Sequence, residues 1–283
     1  LLDQSDGPKV IRIYSRGEHA QADMARTFDD VRLRFLIGDV RDGQRLARAM
    51  EGCDTVVHAA ALKVIPSAEH NPMEAVKTNV LGTMNLVEAA LERHVERVLL
   101  VSSDKAAGPL NLYGATKLAA EKIVVDANEY GGDRTLFGAV RYGNVVGSRG
   151  SLIEVVRTHD PVPLTSPHMT RWWITLEEAC AFIWDRLLDL CPAVAVPILP
   201  AYRVPDFIEA VRSGARTVDV GMRAGEKLAE SLVTDDEAPF ASIHDGYLLI
   251  WRTPQSAAIE GLRSDRPREW LSVEDMRRRM VTA

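Results

Sequence analysis

The sequence predicts an α/β fold: a doubly wound parallel sheet with a smaller substrate-binding region towards the C-terminus. Three observations carry this expectation. Short apolar runs alternate with amphipathic stretches at short loop lengths, the rhythm of βα units. One apolar run closes on the polar cluster Ser102-Ser103-Asp104-Lys105, at a strand end where such sheets place their chemistry. Beyond a Gly108-Pro109 loop, Tyr113 and Lys117 then share a helix face at i and i+4.

The elements follow in order. Residues 10–14 read as a short apolar strand, and 34–38 as another that ends at Asp39. Residues 44–50 form a helix that stops near Gly52, a residue suited to a helix C-cap. A buried strand over 55–60, a long helix over 73–93 and a strand over 97–102 come next. The helix carrying Tyr113 and Lys117 runs over 113–130, and a further strand over 136–141. From about residue 148 the rhythm becomes irregular, and prolines cluster at 161, 163 and 167. A helix over 176–190 and a strand near 194–198 return to the sheet. The chain thus divides into a sheet domain over 1–147 and a mainly substrate-binding region over 148–283, with 176–198 rejoining the sheet.

Composition bounds the function. A chain of 283 residues, 46% hydrophobic and 26% charged, is long and apolar enough for one large globular α/β unit. A formal charge of -6 and a pI near 5.7 argue against a nucleic-acid surface. Arg277-Arg278-Arg279 reads as a solvated helix face. The three cysteines have neither metal-like nor disulfide spacing, as expected of a cytoplasmic protein. The seven histidines show no ligand spacing, so no metal is expected, and His58 reads as a packed core histidine. No apolar stretch approaches the roughly 18 residues of a membrane span, and no signal peptide is visible.

The 103–117 stretch carries two chemistries. An ammonium beside a phenol stabilises the phenolate, which would make Tyr113 a usable base near neutral pH. Ser103 can hydrogen-bond the same substrate hydroxyl. Such a trio oxidises alcohols with a nicotinamide. Asp104 and Lys105 add a second acid and base, and either member can take either role. Lys105 can be the base only if its pKa is depressed, by burial and by Lys117 nearby. Ser15 and Arg16 end the first strand, where a ribose would be read; together they suit a 2′-phosphate and favour NADP over NAD, although Arg16 alone reads as an ordinary loop arginine. Ala59, Ala60 and Ala61 would give backbone close access to a cofactor, and Lys63 past that strand end could reach phosphate or sugar. A dinucleotide fold opens with a strand and a glycine-rich loop, and neither is visible here. Residues 1–7 read as a helix end capped by Gly7, and the first residue is not Met. The expectation is that roughly 25–35 upstream residues, one βα unit, are missing, and that the chain as written binds cofactor badly.

With these segments placed, the chain resembles the extended short-chain dehydrogenase/reductase superfamily, whose sheet is Rossmann-like. More narrowly it resembles the soluble, C5-inverting UDP-N-acetylglucosamine 4,6-dehydratases of pseudaminic acid biosynthesis. The resemblance rests on Tyr14-Ser15-Arg16, Ile37-Gly38-Asp39-Val40-Arg41-Asp42, His58-Ala59-Ala60-Ala61-Leu62-Lys63, Asn79-Val80-Leu81-Gly82-Thr83 and Ser103-Asp104-Lys105. It continues through Tyr113-Gly114-Ala115-Thr116-Lys117, Arg141-Tyr142-Gly143-Asn144-Val145, Gly147-Ser148-Arg149-Gly150-Ser151, Met169-Thr170-Arg171 and Arg223-Ala224-Gly225-Glu226-Lys227-Leu228. Asp-Lys is the discriminating mark, since related dTDP- and GDP-sugar dehydratases carry Asp-Glu and epimerases usually neither. Tyr113 points to the soluble, inverting group. The resemblance implies catalytic Ser103, Asp104, Lys105, Tyr113 and Lys117. It implies cofactor contacts from Ser15, Arg16, Asp39 (at the adenine), Val40, Ala59 to Ala61, Lys63, Asn79, Tyr113, Lys117 and Tyr142. Substrate contacts would come from Lys63, Asn144, Ser148, Arg149, Thr165, Arg171, Arg223 and Glu226. The two arginines would clamp the diphosphate and Glu226 the uridine ribose; without the family context, surface ion pairing explains the arginines equally well. A homo-oligomer is implied too. Trp172-Trp173 in place of the usual Phe-Phe is expected to reshape the sugar pocket.

Tyr113, with Lys117 and Ser103, would then take the C4 hydroxyl proton of the sugar during oxidation. Lys105 would remove the C5 proton, and Asp104 would protonate the departing C6 hydroxyl. Two rivals stand: a UDP-sugar 4-epimerase, with no use for Asp104-Lys105, and a non-catalytic binding or scaffold protein lacking the cofactor loop.

Overall fold

The computed structural model describes residues 7–148, 150–256 and 259–281. A parallel pair comes first, β1 (Ile11–Ser15) and β2 (Leu33–Ile37), joined by α1 (Glu18–Phe28). Helix α2 (Gly43–Met50) starts where the Asp42 carboxylate accepts the Arg45 amide at 2.9 Å, and leads into β3 (Thr55–His58). Next come α3 (Ile65–His70) and α4 (Pro72–Val76), which passes through a π turn at Lys77–Leu81 into α5 (Gly82–Glu92). The long helix read over 73–93 is therefore interrupted by a π turn, a feature that recurs at functional sites. Strand β4 (Arg97–Val101) runs into a 3₁₀ turn at Asp104–Ala106; α6 (Leu112–Asp126) and α7 (Asn128–Gly131) then lead to β5 (Leu136–Val140).

The second half holds α8 (Leu152–Thr158), β6 (Val162–Leu164), β7 (Thr170–Trp172), α9 (Leu176–Leu188) and β8 (Val194–Pro197). After these come β9 (Ala201–Arg203), α10 (Val204–Val211), β10 (Thr217–Asp219) and β11 (Ser231–Val233). The described chain ends with β12 (Ala241–His244), β13 (Tyr247–Ile250), β14 (Leu262–Arg263) and α11 (Val273–Val281).

The central sheet has the order β12-β13-β8-β5-β4-β3. Strands β3, β4, β5 and β8 are parallel; β13 joins β8 antiparallel, and β12 joins β13 through a turn at Asp245-Gly246. Gly246 has φ +77, the left-handed backbone that an Asp-Gly hairpin turn needs. The β1–β2 pair is a separate sheet with no hydrogen bonds to β3. It is held by Tyr14 packing on the main core and by Arg12 Nη1 donating to the Ala49 carbonyl at 2.8 Å.

Apolar faces of α2, α5 and α6 cover the sheet, with Leu86, Val98, Leu100, Val124 and Phe137 at its centre. A second core holds the C-terminal region around Trp173, Tyr202, Phe207, Ile208 and Met276. Trp173 meets Tyr202 edge-on at 5.9 Å, and Tyr202 stacks on Phe207 at 4.9 Å. Both Trp172 and Trp173 are fully buried. The expected reshaping of a sugar pocket by the tryptophan pair is thus corrected: in a fully buried position the added volume fills core.

Candidate active site

Strand β4 delivers the chemistry to the C-terminal edge of the sheet. The Ser103 side chain N-caps the 3₁₀ turn, accepting the Lys105 amide at 3.3 Å and donating to Asp104 Oδ1 at 2.9 Å. The Asp104 amide donates to the Tyr142 carbonyl at 2.9 Å, and Asp104 is buried. Lys105 Nζ lies 2.9 and 3.0 Å from the two Asp104 oxygens and donates to Asn144 Oδ1 at 2.8 Å. A fourth oxygen, Glu230 Oε1, is 3.4 Å away. The amine is therefore surrounded by acceptors, as an ammonium would be. Its neighbouring cation is Lys227, on which Lys105 acts, whereas the charge felt by Lys117 is that of Glu121.

Helix α6 brings Tyr113 and Lys117 to the same place. Its N-cap, Asn111, accepts the Gly114 amide at 2.8 Å and donates to the Gly225 carbonyl at 2.9 Å. Gly114 sits directly beneath Lys105: an added Cβ would lie 3.0 Å from the Lys105 carbonyl carbon and 3.2 Å from Pro109 Cβ. Only a residue without a side chain lets the helix approach the turn this closely.

The phenol differs from the sequence expectation. Burial pushes Tyr113 up to about 12, with the nearby Ser103 hydroxyl offsetting only part of that. Lys117 is pushed down to about 8, also by burial, with Glu121 opposing, and its Nζ donates to the Val101 carbonyl at 2.6 Å. Desolvation thus outweighs the ammonium at this site, and Tyr113 by itself is a neutral phenol at pH 7. His58 lies beneath, buried, its Nε2 3.3 Å from Thr83 Oγ1. Burial, and then Lys117, lower it to about 3.

The expected cofactor residues fall into two groups. Ser15 and Arg16 end β1; Ser15 Oγ accepts from Gln21 Nε2 at 2.9 Å, and the half-exposed Arg16 lies 3.8 Å from Asp39. Asp39 is held low chiefly by its hydrogen bonds from Arg41, and Val40 is buried against Gly82. Past β3, Ala59, Ala60 and Lys63 are exposed and Ala61 partly so. Asn79 is buried in the π turn, where its side chain accepts the Leu62 amide at 2.7 Å and donates to the Leu62 carbonyl and to Thr116 Oγ1, both at 3.0 Å. Its polar atoms thus brace the post-β3 loop against α6. Burial pushes Tyr142 up to about 12.

The substrate residues are more scattered. Asn144 reaches Lys105, as given. Ser148 and Thr165 are partly buried, and Arg149 lies outside the described residues. Arg171 Nη1 donates to the Thr170 and Leu228 carbonyls at 2.7 and 3.3 Å, tying β7 to the 223–230 loop. Arg223 is exposed, 3.9 Å from Glu226. Two residues went unassigned in the sequence: Glu230, buried beside Lys105, and Lys227, whose Nζ donates to the Ala107 and Gly108 carbonyls at 2.9 and 2.6 Å. The Gly225-Glu226-Lys227-Leu228 segment was the available signal, but nothing in it says which side chain turns inward.

A mostly parallel sheet with Ser103, Tyr113 and Lys117 gathered at its strand ends defines a short-chain dehydrogenase/reductase fold. The chain belongs to the family described as polysaccharide biosynthesis protein, whose model matches residues 2–251. It is 41% identical over 257 residues to a UDP-N-acetylglucosamine 4,6-dehydratase (inverting) of Campylobacter jejuni, covering 88% of this chain and 77% of that one. It is 36% identical over 262 residues to a UDP-glucose 4-epimerase of Rickettsia felis, covering 88% and 76%. The X-ray structure of Pen from Bacillus thuringiensis superposes with a TM-score of 0.90 at 33% identity, covering 98% of this chain and 91% of that one. Among the described residues, no helix is long and apolar enough to cross a membrane.

Proposed function

We propose that the protein dehydrates UDP-N-acetylglucosamine to a UDP-4-keto-6-deoxy sugar, inverting C5, with NADP as its resident cofactor. The observation that carries this reading is the 3₁₀ turn that presents Asp104 and Lys105 beside Ser103, packed on the helix bearing Tyr113 and Lys117. Alcohol oxidation alone needs only Ser103, Tyr113 and Lys117; water loss also needs an acid and a base.

The residues fit a nicotinamide dinucleotide at its two ends. Ser15, Arg16, Asp39 and Val40 collect at the ends of β1 and β2, where the exposed guanidinium of Arg16 suits a 2′-phosphate. Tyr113 and Lys117 mark the nicotinamide end. No glycine-rich phosphate loop lies among the described residues. When bound, the cofactor supplies a hydride acceptor and donor, and its oxidised ring adds positive charge near the phenol.

The chain's own groups do the rest. Ser103 orients the C4 hydroxyl, and Tyr113 relays its proton, with Lys117 offsetting charge on the phenolate. The C4 ketone acidifies the C5 hydrogen, which Lys105 removes while Asp104 protonates the leaving C6 hydroxyl. Return of the hydride to C6 and delivery of a solvent-derived proton to C5 from the opposite face would give the inverted product. Arg171, Arg223, Glu226, Thr165, Ser148, Asn144 and Lys63 form the proposed nucleotide-sugar contacts.

A 4-epimerase is the second reading, favoured by the likeness to the Rickettsia protein. One experiment separates the two: NMR of the product from UDP-N-acetylglucosamine in deuterated water. The expected product has lost water, carries deuterium at C5 and has the inverted C5 configuration, and Lys105→Ala makes none. A C4 epimer with no water loss, or an active Lys105→Ala, refutes the dehydratase reading.

A further inference from the structure

We infer that Glu230 is a positioning residue for Lys105, a second carboxylate that takes the ammonium proton and so frees the amine to act as a base. This rests on the dehydratase reading above. The structure poses the problem plainly: Lys105 is surrounded by acceptors, yet a base must have a lone pair free of a proton. Asp104 is poorly suited to relieve it. Both its oxygens are within 3.0 Å of Lys105 Nζ, Oδ1 also accepts from Ser103, and Asp104 must bring its own proton to the leaving hydroxyl.

Glu230 has the missing property. It is buried, Oε1 is 3.4 Å from Lys105 Nζ, and Oε2 is buried with no hydrogen-bond partner. Glu230 thus offers a free acceptor oxygen, whereas both Asp104 oxygens already accept from Lys105. Its backbone is fixed, since the Glu230 amide donates to Ser264 Oγ at 2.8 Å and Ser264 Oγ is in turn 2.8 Å from Thr170 Oγ1. The charged groups facing the cluster are Asp104 and Lys105 on the 3₁₀ turn, Lys227 on the same loop and Arg171 on β7.

The protons balance. The proposed cycle starts with substrate bound, Asp104 protonated and turned to the C6 hydroxyl, Lys105 protonated and Glu230 ionised. One Nζ–H bond breaks as a Glu230 O–H bond forms. The freed lone pair takes the C5 hydrogen, and the C5–H electrons become the C5=C6 bond. The C6–O bond breaks as the Asp104 proton joins the departing oxygen, and water leaves. The Glu230 proton then passes through Lys105 to Asp104, restoring the start. Because the exchange stays inside the cluster, readiness of the base does not depend on bulk pH.

Glu230→Gln keeps the shape but cannot take a proton, so Lys105 must lose its proton to solvent. The test measures kcat and KM for water loss from UDP-N-acetylglucosamine between pH 6 and 8, for the wild type, Glu230→Gln and Glu230→Asp. Expected are a wild-type kcat nearly flat over this range, and a Glu230→Gln kcat at least tenfold lower at pH 6 that rises with near unit slope towards pH 8. KM should be little changed, and Glu230→Asp should restore the flat profile in part. A Glu230→Gln profile parallel to the wild type, or a kcat within threefold of it at pH 6, overturns the inference while leaving the dehydratase reading intact. No water loss from the wild type removes both. If Glu230→Gln does not fold, Glu230→Ala decides: it should show the same pH-dependent deficit, and a deficit identical at every pH is merely structural and also overturns the inference.

Discussion

Replacing Gly114 by alanine separates catalysis from stability more cleanly than any change to a reacting group. An alanine Cβ there would sit well inside contact distance of the Lys105 carbonyl oxygen, 3.0 Å from its carbon and 3.2 Å from Pro109 Cβ. The first two obstacles are backbone, so the turn and the helix must part by roughly 1 Å to reach ordinary contact. Two stability effects oppose each other. Alanine gains about 1 kcal/mol over glycine within a helix, and overpacking costs about 1–3 kcal/mol. The net loss is therefore about 0–2 kcal/mol, a modest fall in melting temperature. Catalysis has no such offset. The same movement shifts Asp104 and Lys105 relative to Tyr113, and a 1 Å misplacement is enough to cost about 100-fold in rate. Product formation by NMR and thermal unfolding by circular dichroism on the same preparation give both numbers. A Gly114→Ala protein that keeps wild-type kcat would refute the claim that the close approach of helix and turn sets the geometry.

Two further outcomes follow from buried groups. His58 is depressed to about 3 in the folded chain against 6.5 unfolded, so the unfolded state binds the extra proton first and stability falls as pH drops below about 6.5. Between pH 7 and 5 that amounts to about 2 kcal/mol, visible in urea unfolding of the wild type and absent from His58→Gln; equal acid losses in both would contradict it. Lys117 is lowered to about 8 by burial, so a rate that needs its ammonium should fall as pH passes about 8, in a kcat profile followed to pH 9.5. A rate unchanged over that range would remove Lys117 from the chemistry.

What was legible in the sequence was whatever local pattern encodes. Strands β3, β4 and β5 are short apolar runs, and Ser103, Tyr113 and Lys117 stand at a strand end and at helical spacing, so their assembly could be read without coordinates. Helix α1 could not be read, because of its eleven residues only Gln21 is buried and it carries no apolar stripe. The β12–β13 hairpin was missed despite Asp245-Gly246, a turn signal between two short apolar runs. Residue size gave the tryptophans' volume but not their direction, and both point into core. The phenol's acidity was misjudged because helical spacing reports the neighbouring ammonium and says nothing of desolvation. Glu230 was invisible for a related reason: only the tertiary fold brings its loop against Lys105.

The buried Arg141 explains how these distant pieces keep register. Tyr113, Lys117 and Glu121 follow at four-residue steps along α6, so the helix that presents the phenol at its head carries a buried carboxylate two turns below. Arg141 donates to Glu121 at 3.0 and 2.6 Å, to Glu237 at 2.9 and 2.8 Å, and to the Leu232 carbonyl at 2.9 Å. Burial works against its charge, yet pairing with the two carboxylates holds it above the usual guanidinium value. A buried ion triad of this kind is weak evidence for stability, since apolar residues of similar volume often do as well. Position is the better explanation. The residues that follow Arg141 supply the Tyr142 carbonyl that holds the Asp104 amide and the Asn144 oxygen that holds Lys105. Leu232, whose carbonyl it binds, lies two residues past Glu230. One guanidinium thus fixes helix α6, the 141–144 segment and the start of β11 against one another, and those three carry Tyr113, the partners of Asp104 and Lys105, and Glu230.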